Sequence, residues 1–186
     1  PRRHFIGGIG SVFTTIVASK WAPRSALAQT PQSPIHAYVG SFTSRERDGR
    51  GDGINVYRVD PVSKNWTHIQ NVNLVNPSFL ALDKTQRFLY SAHADLDYAT
   101  AFSIDATSGR LSLLNRQETG GTNGVHLAVD QSNRFLVVSN YASGSMAVLP
   151  ISDDGSLELV SDLVELQGSP GPGQTSSHPH HNPFDP

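Results

Sequence analysis

The chain has 186 residues, with 14 Lys and Arg against 16 Asp and Glu, 37% hydrophobic residues, 16 Gly, 12 Pro and no Cys. That composition excludes a coiled coil, a disulfide scaffold and a zinc–thiolate module, and it is too apolar for a disordered chain. A formal net charge of −2 comes with neither a basic stripe for nucleic acid nor a polybasic patch for a membrane.

Residues 1–28 carry Arg2, Arg3, Lys20 and Arg24 and no acidic residue, and the run from Phe5 to Ala18 is apolar and Gly-rich. A stretch of about 14 residues is too short to cross a hydrocarbon core of about 30 Å as a helix. It fits the hydrophobic region of a signal peptide, with Ala26-Leu27-Ala28 as the small-x-small site and cleavage expected before Gln29. Gly7, Gly8 and Gly10 disfavour the alternative, an amphipathic helix of the folded domain. The Arg2-Arg3-His4-Phe5-Ile6 start resembles a twin-arginine signal, so the expectation is export to the periplasm or beyond, with no membrane association after cleavage. Without those four cations, 10 basic residues face 16 acidic ones, a formal net charge of −6.

From Gln29 on, the elements follow a repeat. Arg45-Glu46-Arg47-Asp48-Gly49-Arg50-Gly51-Asp52-Gly53 mixes both charge signs with three glycines and reads as a solvated loop. Val56-Tyr57-Arg58-Val59-Asp60 then recurs as Ala101-Phe102-Ser103-Ile104-Asp105 and as Val148-Leu149-Pro150-Ile151-Ser152. Each copy is followed by a polar turn and a further short strand, beginning at Trp66, at Leu111 and at Leu157-Glu158-Leu159-Val160. Leu82-Asp83-Lys84-Thr85-Gln86-Arg87-Phe88-Leu89 matches Val129-Asp130-Gln131-Ser132-Asn133-Arg134-Phe135-Leu136, with Arg87 and Arg134 separated by 47 residues, and Phe184-Asp185-Pro186 begins the same step again.

Four short strands per unit, punctuated by Asp- and Gly-rich reversals, predict an all-β propeller rather than a helical solenoid or an ordinary β-sandwich. Within each blade, 77–82 and 125–129 are expected innermost, 88–93 and 135–140 second, 57–59 and 102–104 third, and the strands from Trp66 and Leu111 outermost. Residues 29–186 at about 47 per blade amount to a little over three blades, fewer than the roughly four that close a ring. The expectation is therefore the N-terminal, truncated part of a larger propeller.

In such a fold a ligand sits over the central channel, at the starts of the inner strands. His180 precedes Asp185 by five residues, as Ser78 precedes Asp83 and Val125 precedes Asp130. His178 lies two residues earlier and shares its side if the segment is extended, while His181 faces the other way. Imidazole at a channel mouth can act as a general base on water or as a cation for an anionic substrate. His-x-His is also a metal-ligand pair, but the spacing is no zinc motif and only Asp185 is a nearby carboxylate. His126 aligns with Phe79, a packing position, and is read as a core or inter-blade histidine. The Gly168-Ser169-Pro170-Gly171-Pro172-Gly173-Gln174 segment lacks the Lys and helix of a phosphate loop and reads as a crossing between blades.

Tyr38-Val39-Gly40-Ser41-Phe42-Thr43, Gly53-Ile54-Asn55-Val56-Tyr57, Asn76-Pro77-Ser78-Phe79-Leu80, Arg87-Phe88-Leu89-Tyr90, Ser139-Asn140-Tyr141-Ala142-Ser143-Gly144-Ser145 and Ser177-His178-Pro179-His180 follow in one order. Together they resemble the lactonase family of seven-bladed propellers, whose best-known activity is 6-phosphogluconolactonase. The family pattern has His-Ala-His where this chain has His178-Pro179-His180. The resemblance implies hydrolysis of a sugar lactone without metal or other cofactor. His180 would activate water, His178 would orient it or hold an anionic group, and arginines from further blades would complete the site. The expected partner is a small lactone or sugar acid. A lactonising isomerase of the same fold and an exported, non-catalytic ligand-binding propeller are the alternatives; the mismatch between an export signal and cytosolic sugar phosphates points either to an unphosphorylated or different lactone or to the second of these.

Overall fold

The computed structural model describes residues 35–168 and 171–185. The segment read as an export signal, 1–28, lies outside them. Eleven strands are present among the described residues: β1 (Ile35–Gly40), β2 (Ile54–Val59), β3 (Trp66–Val72), β4 (Pro77–Leu82), β5 (Phe88–His93), β6 (Tyr98–Ile104), β7 (Leu111–Glu118), β8 (Gly124–Val129), β9 (Phe135–Asn140), β10 (Ser145–Pro150) and β11 (Asp162–Glu165). They form three antiparallel sheets in sequential order, β1-β2-β3, β4-β5-β6-β7 and β8-β9-β10-β11. The inner strand β4 packs beside β8 on one side and β1 on the other, the arrangement of neighbouring propeller blades. β1 takes the place of a second strand, equivalent to β5 and β9, so the first sheet shows three strands.

Each repeat turn is built by one carboxylate. The Asp83 Oδ1 accepts from the main-chain N–H of Arg87 at 2.7 Å and Phe88 at 2.8 Å, and Asp130 accepts from Arg134 and Phe135 at the same two distances. The other oxygen takes the main-chain N–H of Thr85 at 3.0 Å or of Ser132 at 2.9 Å. Gln86 (φ 56°) and Asn133 (φ 58°) occupy the left-handed position that lets the chain reverse. Burial opposes ionisation of Asp83, yet the hydrogen bonds from Thr85, Phe88 and Arg87 outweigh it and hold the carboxyl below its ordinary range. The Asp-x-x-x-Arg spacing is thus a hydrogen-bonding requirement.

Period-two alternation explains the core. Leu89 and Phe102 point towards the first sheet and join Ile54, Val56, Leu74 and Leu111. Their neighbours Tyr90, Ala92, Ala99 and Ala101 point the other way, against Leu127, Val129, Leu136, Val138 and Leu149 of the third sheet. A middle blade covered on both faces buries nearly every position of β5 and β6, the polar Ser91, His93 and Thr100 among them. Each fully buried Leu or Phe contributes about 1.5–3 kcal/mol.

Two polar devices recur from blade to blade. The Tyr38 hydroxyl donates to the Gly109 carbonyl at 3.0 Å, and that of Tyr90 to the Gly155 carbonyl at 3.1 Å, each reaching the glycine turn of the following sheet. An amide side chain also grips the next blade twice. Gln70 donates to the Leu111 carbonyl and accepts its N–H at 2.9 and 2.7 Å, and Asn115 does the same with Leu157 at 2.7 and 3.0 Å.

The outer strand of the third sheet corrects one expectation. It is Asp162–Glu165, paired with Ser145–Val148, and not Leu157–Val160. The first two sheets shift register by a bulge between Val56 and Tyr57 and between Ala101 and Phe102. At the equivalent place in the third sheet Leu157 keeps only an isolated bridge to Ile151, held there by Asn115, and the ladder resumes beyond the exposed Leu159.

Candidate functional site

Both complete inner strands carry a bulge at their mouths. β4 slips register between Pro77 and Phe79, and β8 between Gly124 and His126, so Ser78 and Val125 are the extra residues. A bulge re-aims its side chain, and both residues line one cavity of about 400 Å³. Just before each bulge an asparagine holds the left-handed conformation, Asn76 at φ 45° and Asn123 at φ 58°, and its main-chain carbonyl accepts the N–H of Ala94 or Tyr141, at 3.1 and 2.9 Å.

His178-Pro179-His180-His181 stands in register with Asn76-Pro77-Ser78-Phe79 and Asn123-Gly124-Val125-His126. Residues 178–185 form no ladder among the described residues, in keeping with the N–H groups that Pro179 and Pro183 lack. The equivalence holds nonetheless. His180 lines the same cavity as Ser78 and Val125. Phe79, His126 and His181 form a ladder of rings from blade to blade, with centroids 4.5 Å apart and then 4.3 Å. His126 is accordingly the buried inter-blade residue the sequence indicates, and His181 faces away from His180.

A second ring of equivalent positions follows the second strands: Phe42 after β1, Ala94 after β5 and Tyr141 after β9, all on the cavity wall. Tyr141 organises the histidines. His178 stacks on its ring at 4.5 Å and 17°, and His180 meets it edge-on at 5.6 Å and 86°. The His178 Nδ1–H donates to the Tyr141 carbonyl at 2.9 Å, so in the neutral ring Nε2 carries the lone pair, 3.4 Å from the Ser176 hydroxyl. His180 is exposed to the cavity, whereas His178 is half-buried behind Tyr141.

The segment is pinned by Asn182, a residue without a motif. Buried to 8% exposure, it donates to the Val137 carbonyl at 3.0 Å, accepts from the Ser139 hydroxyl at 3.0 Å and bonds to the His126 Nδ1. Burial keeps His126 below its ordinary pKa, the Asn182 bond works in the opposite direction, and His181 and His180 add to the depression.

The charged run is the exposed loop that the sequence indicates, and its 3-10 turn, Arg45–Arg47, brings Arg47 onto the cavity wall. The guanidinium lies 5.6 Å over the Phe42 ring and grips Asp95 with two parallel bonds, Nε to Oδ2 at 2.6 Å and Nη2 to Oδ1 at 2.5 Å. The aligned position of Phe42, Ala94 and Tyr141 was the one signal that this loop borders the site. Among the described residues no group of three or more His, Asp or Glu side chains is disposed to hold a metal ion.

Comparison with known proteins gives the same architecture a family. The model of the family described as "Lactonase, 7-bladed beta-propeller" matches residues 36–186. A 6-phosphogluconolactonase of Bacillus subtilis is 34% identical over 153 residues, which are 80% of this chain and 43% of that protein. A solved Bacteroides fragilis structure superposes with a TM-score of 0.68 at 31% identity, over 77% of this chain and 40% of the other. The periplasmic gluconolactonase of Pseudomonas aeruginosa follows with a TM-score of 0.62 at 30% identity, over 71% and 39%. The chain thus spans about two fifths of the length of the proteins it matches.

Proposed function

Because the chain belongs to the lactonase family of seven-bladed β-propellers, we propose that the protein it forms hydrolyses a sugar lactone, a gluconolactone with or without a phosphate, at the cavity between its inner strands. One observation carries the reading. His180 stands in line with the bulge residues Ser78 and Val125 and lines the same cavity as both of them and Arg47.

The chemistry is water attack on the lactone carbonyl. An imidazole nitrogen of His180 takes a proton from water as the new C–O bond forms, and the tetrahedral centre then expels the ring oxygen. That oxygen recovers the proton from the imidazolium, leaving a hydroxy acid. His178 acts as a positioning residue: it braces the Tyr141 ring, and through it the edge contact to His180. The Arg47 fork and the Ser78 and Asn123 side chains offer donors and acceptors to the sugar hydroxyls.

Assay of the intact protein against a panel of aldonolactones tests the proposal. Ring opening with saturation is expected, at equal rates with and without chelator, and ligand-dependent stabilisation without turnover would replace the enzyme by a binding module.

The proposal includes export. Arg2-Arg3, the Ala26-Leu27-Ala28 site and the periplasmic relative support it, and N-terminal sequencing of the protein from the periplasmic fraction should begin at Gln29.

A further inference from the structure

Arg47 is the one Lys or Arg among the described residues that line the cavity, and its charge is already engaged. Asp95 meets it fork to fork, at 2.6 and 2.5 Å, a geometry in which guanidinium and carboxylate neutralise one another and still leave three N–H donors. Asp95 is held in place by its own turn. Its φ is 68°, the Leu96 N–H closes back on the His93 carbonyl at 3.2 Å, and its N–H donates to the Asn123 Oδ1 at 3.4 Å. The pair joins the first blade's long loop to the second blade's short one and rests on Phe42.

We infer that the Arg47–Asp95 pair is a specificity device, selecting uncharged polyhydroxylated lactones over phosphorylated ones. A hydroxyl or ring oxygen can accept from the remaining guanidinium N–H groups without disturbing the fork. A phosphate at the same place would meet the Asp95 carboxylate at close range, and like charges within a few ångströms oppose each other. The Asp95 carboxyl is charged in neutral solution like any aspartate, and the arginine's hydrogen bonds hold it below its ordinary range. The inference rests on the lactonase reading and goes further by naming the substrate class.

The test compares glucono-δ-lactone with its 6-phosphate in the intact protein, as wild type, Asp95→Asn, Asp95→Ala and Arg47→Ala/Asp95→Ala. Wild type should prefer the uncharged lactone in kcat/KM. Asp95→Asn and Asp95→Ala, which unmask Arg47, should move the ratio about tenfold towards the phosphorylated substrate, as a freed charge-assisted contact allows, and the double variant should lose that gain. A wild-type preference for the phosphate, or an unchanged ratio in both single variants, overturns the inference. Calorimetric binding of gluconate and 6-phosphogluconate to the same proteins gives a readout without turnover. A ratio that shifts in binding while no lactone is opened refutes the lactonase reading alone.

Discussion

The Nδ1–H of His178 donates to the main-chain carbonyl of Tyr141 across 2.9 Å, and the two rings lie stacked 4.5 Å apart. His180 leans on the same tyrosine from the edge, so the two histidines have distinct places, one on the cavity and one behind it. Replacing His180 by Ala should cut kcat of lactone opening by about 10²–10⁴, the range of a general acid–base group. His178→Ala should cost less and should be partly rescued by His178→Asn, whose amide can still donate to the Tyr141 carbonyl. Wild-type rates in His180→Ala would refute the assignment.

His93 sets an acid limit on stability. Its Nδ1–H donates to the Val75 carbonyl at 2.7 Å and its Nε2 accepts from the Thr100 hydroxyl at 2.8 Å, so the ring is buried neutral. Burial lowers its pKa, the Val75 bond works the other way, and the charge of Arg116 lowers it further. The unfolded chain takes up the proton near pH 6.5, about the ordinary value, while the folded chain resists it. Stability is therefore full above that pH and is lost as the pH falls through it towards the folded pKa, with His126 adding in the same direction. Urea midpoints between about pH 8 and pH 5 should show the loss, and His93→Gln should flatten part of it. Thr100→Val should cost about 1–3 kcal/mol by leaving Nε2 unpaired.

Asn115→Ala should loosen the second blade from the third. It removes both partners of the buried Leu157 backbone, an expected loss of about 2–3 kcal/mol. Gln70→Ala should do the same between the first and second blades. Urea midpoints within experimental error of wild type for both variants would remove the clamp from the account.

Gly155 and Gly173 separate backbone strain from packing. Both hold positive φ, 87° and 81°. A Cβ at Gly155 would lie 2.2 Å from the Phe88 ring, whereas one at Gly173 meets nothing within 4 Å. Gly173→Ala should cost only the conformational term, about 1–2 kcal/mol. Gly155→Ala should add overpacking of about 1–3 kcal/mol, and equal thermal shifts for the two would contradict the packing.

What was legible in the sequence was local or periodic. The Asp83 and Asp130 turns close within five residues, so their hydrogen bonds leave a visible Asp-x-x-x-Arg spacing. The 47-residue repeat placed His180 in line with Ser78 and Val125, His126 in line with Phe79, and the strands of the second sheet in their order.

The tertiary structure decided whatever depends on one blade touching the next. Arg47 finds Asp95 48 positions away, Asn182 anchors to His126 56 positions away, and Asn115 clamps the Leu157 backbone 42 positions away. No spacing marks these pairs, because they are set by how twisted sheets stack around an axis and not by the period of any one strand. By itself the sequence determined the repeat, its turns and the alignment of His180 with Ser78 and Val125. Which aromatic ring braces those histidines, and which carboxylate occupies the cavity's arginine, became definite only when the blades packed face to face.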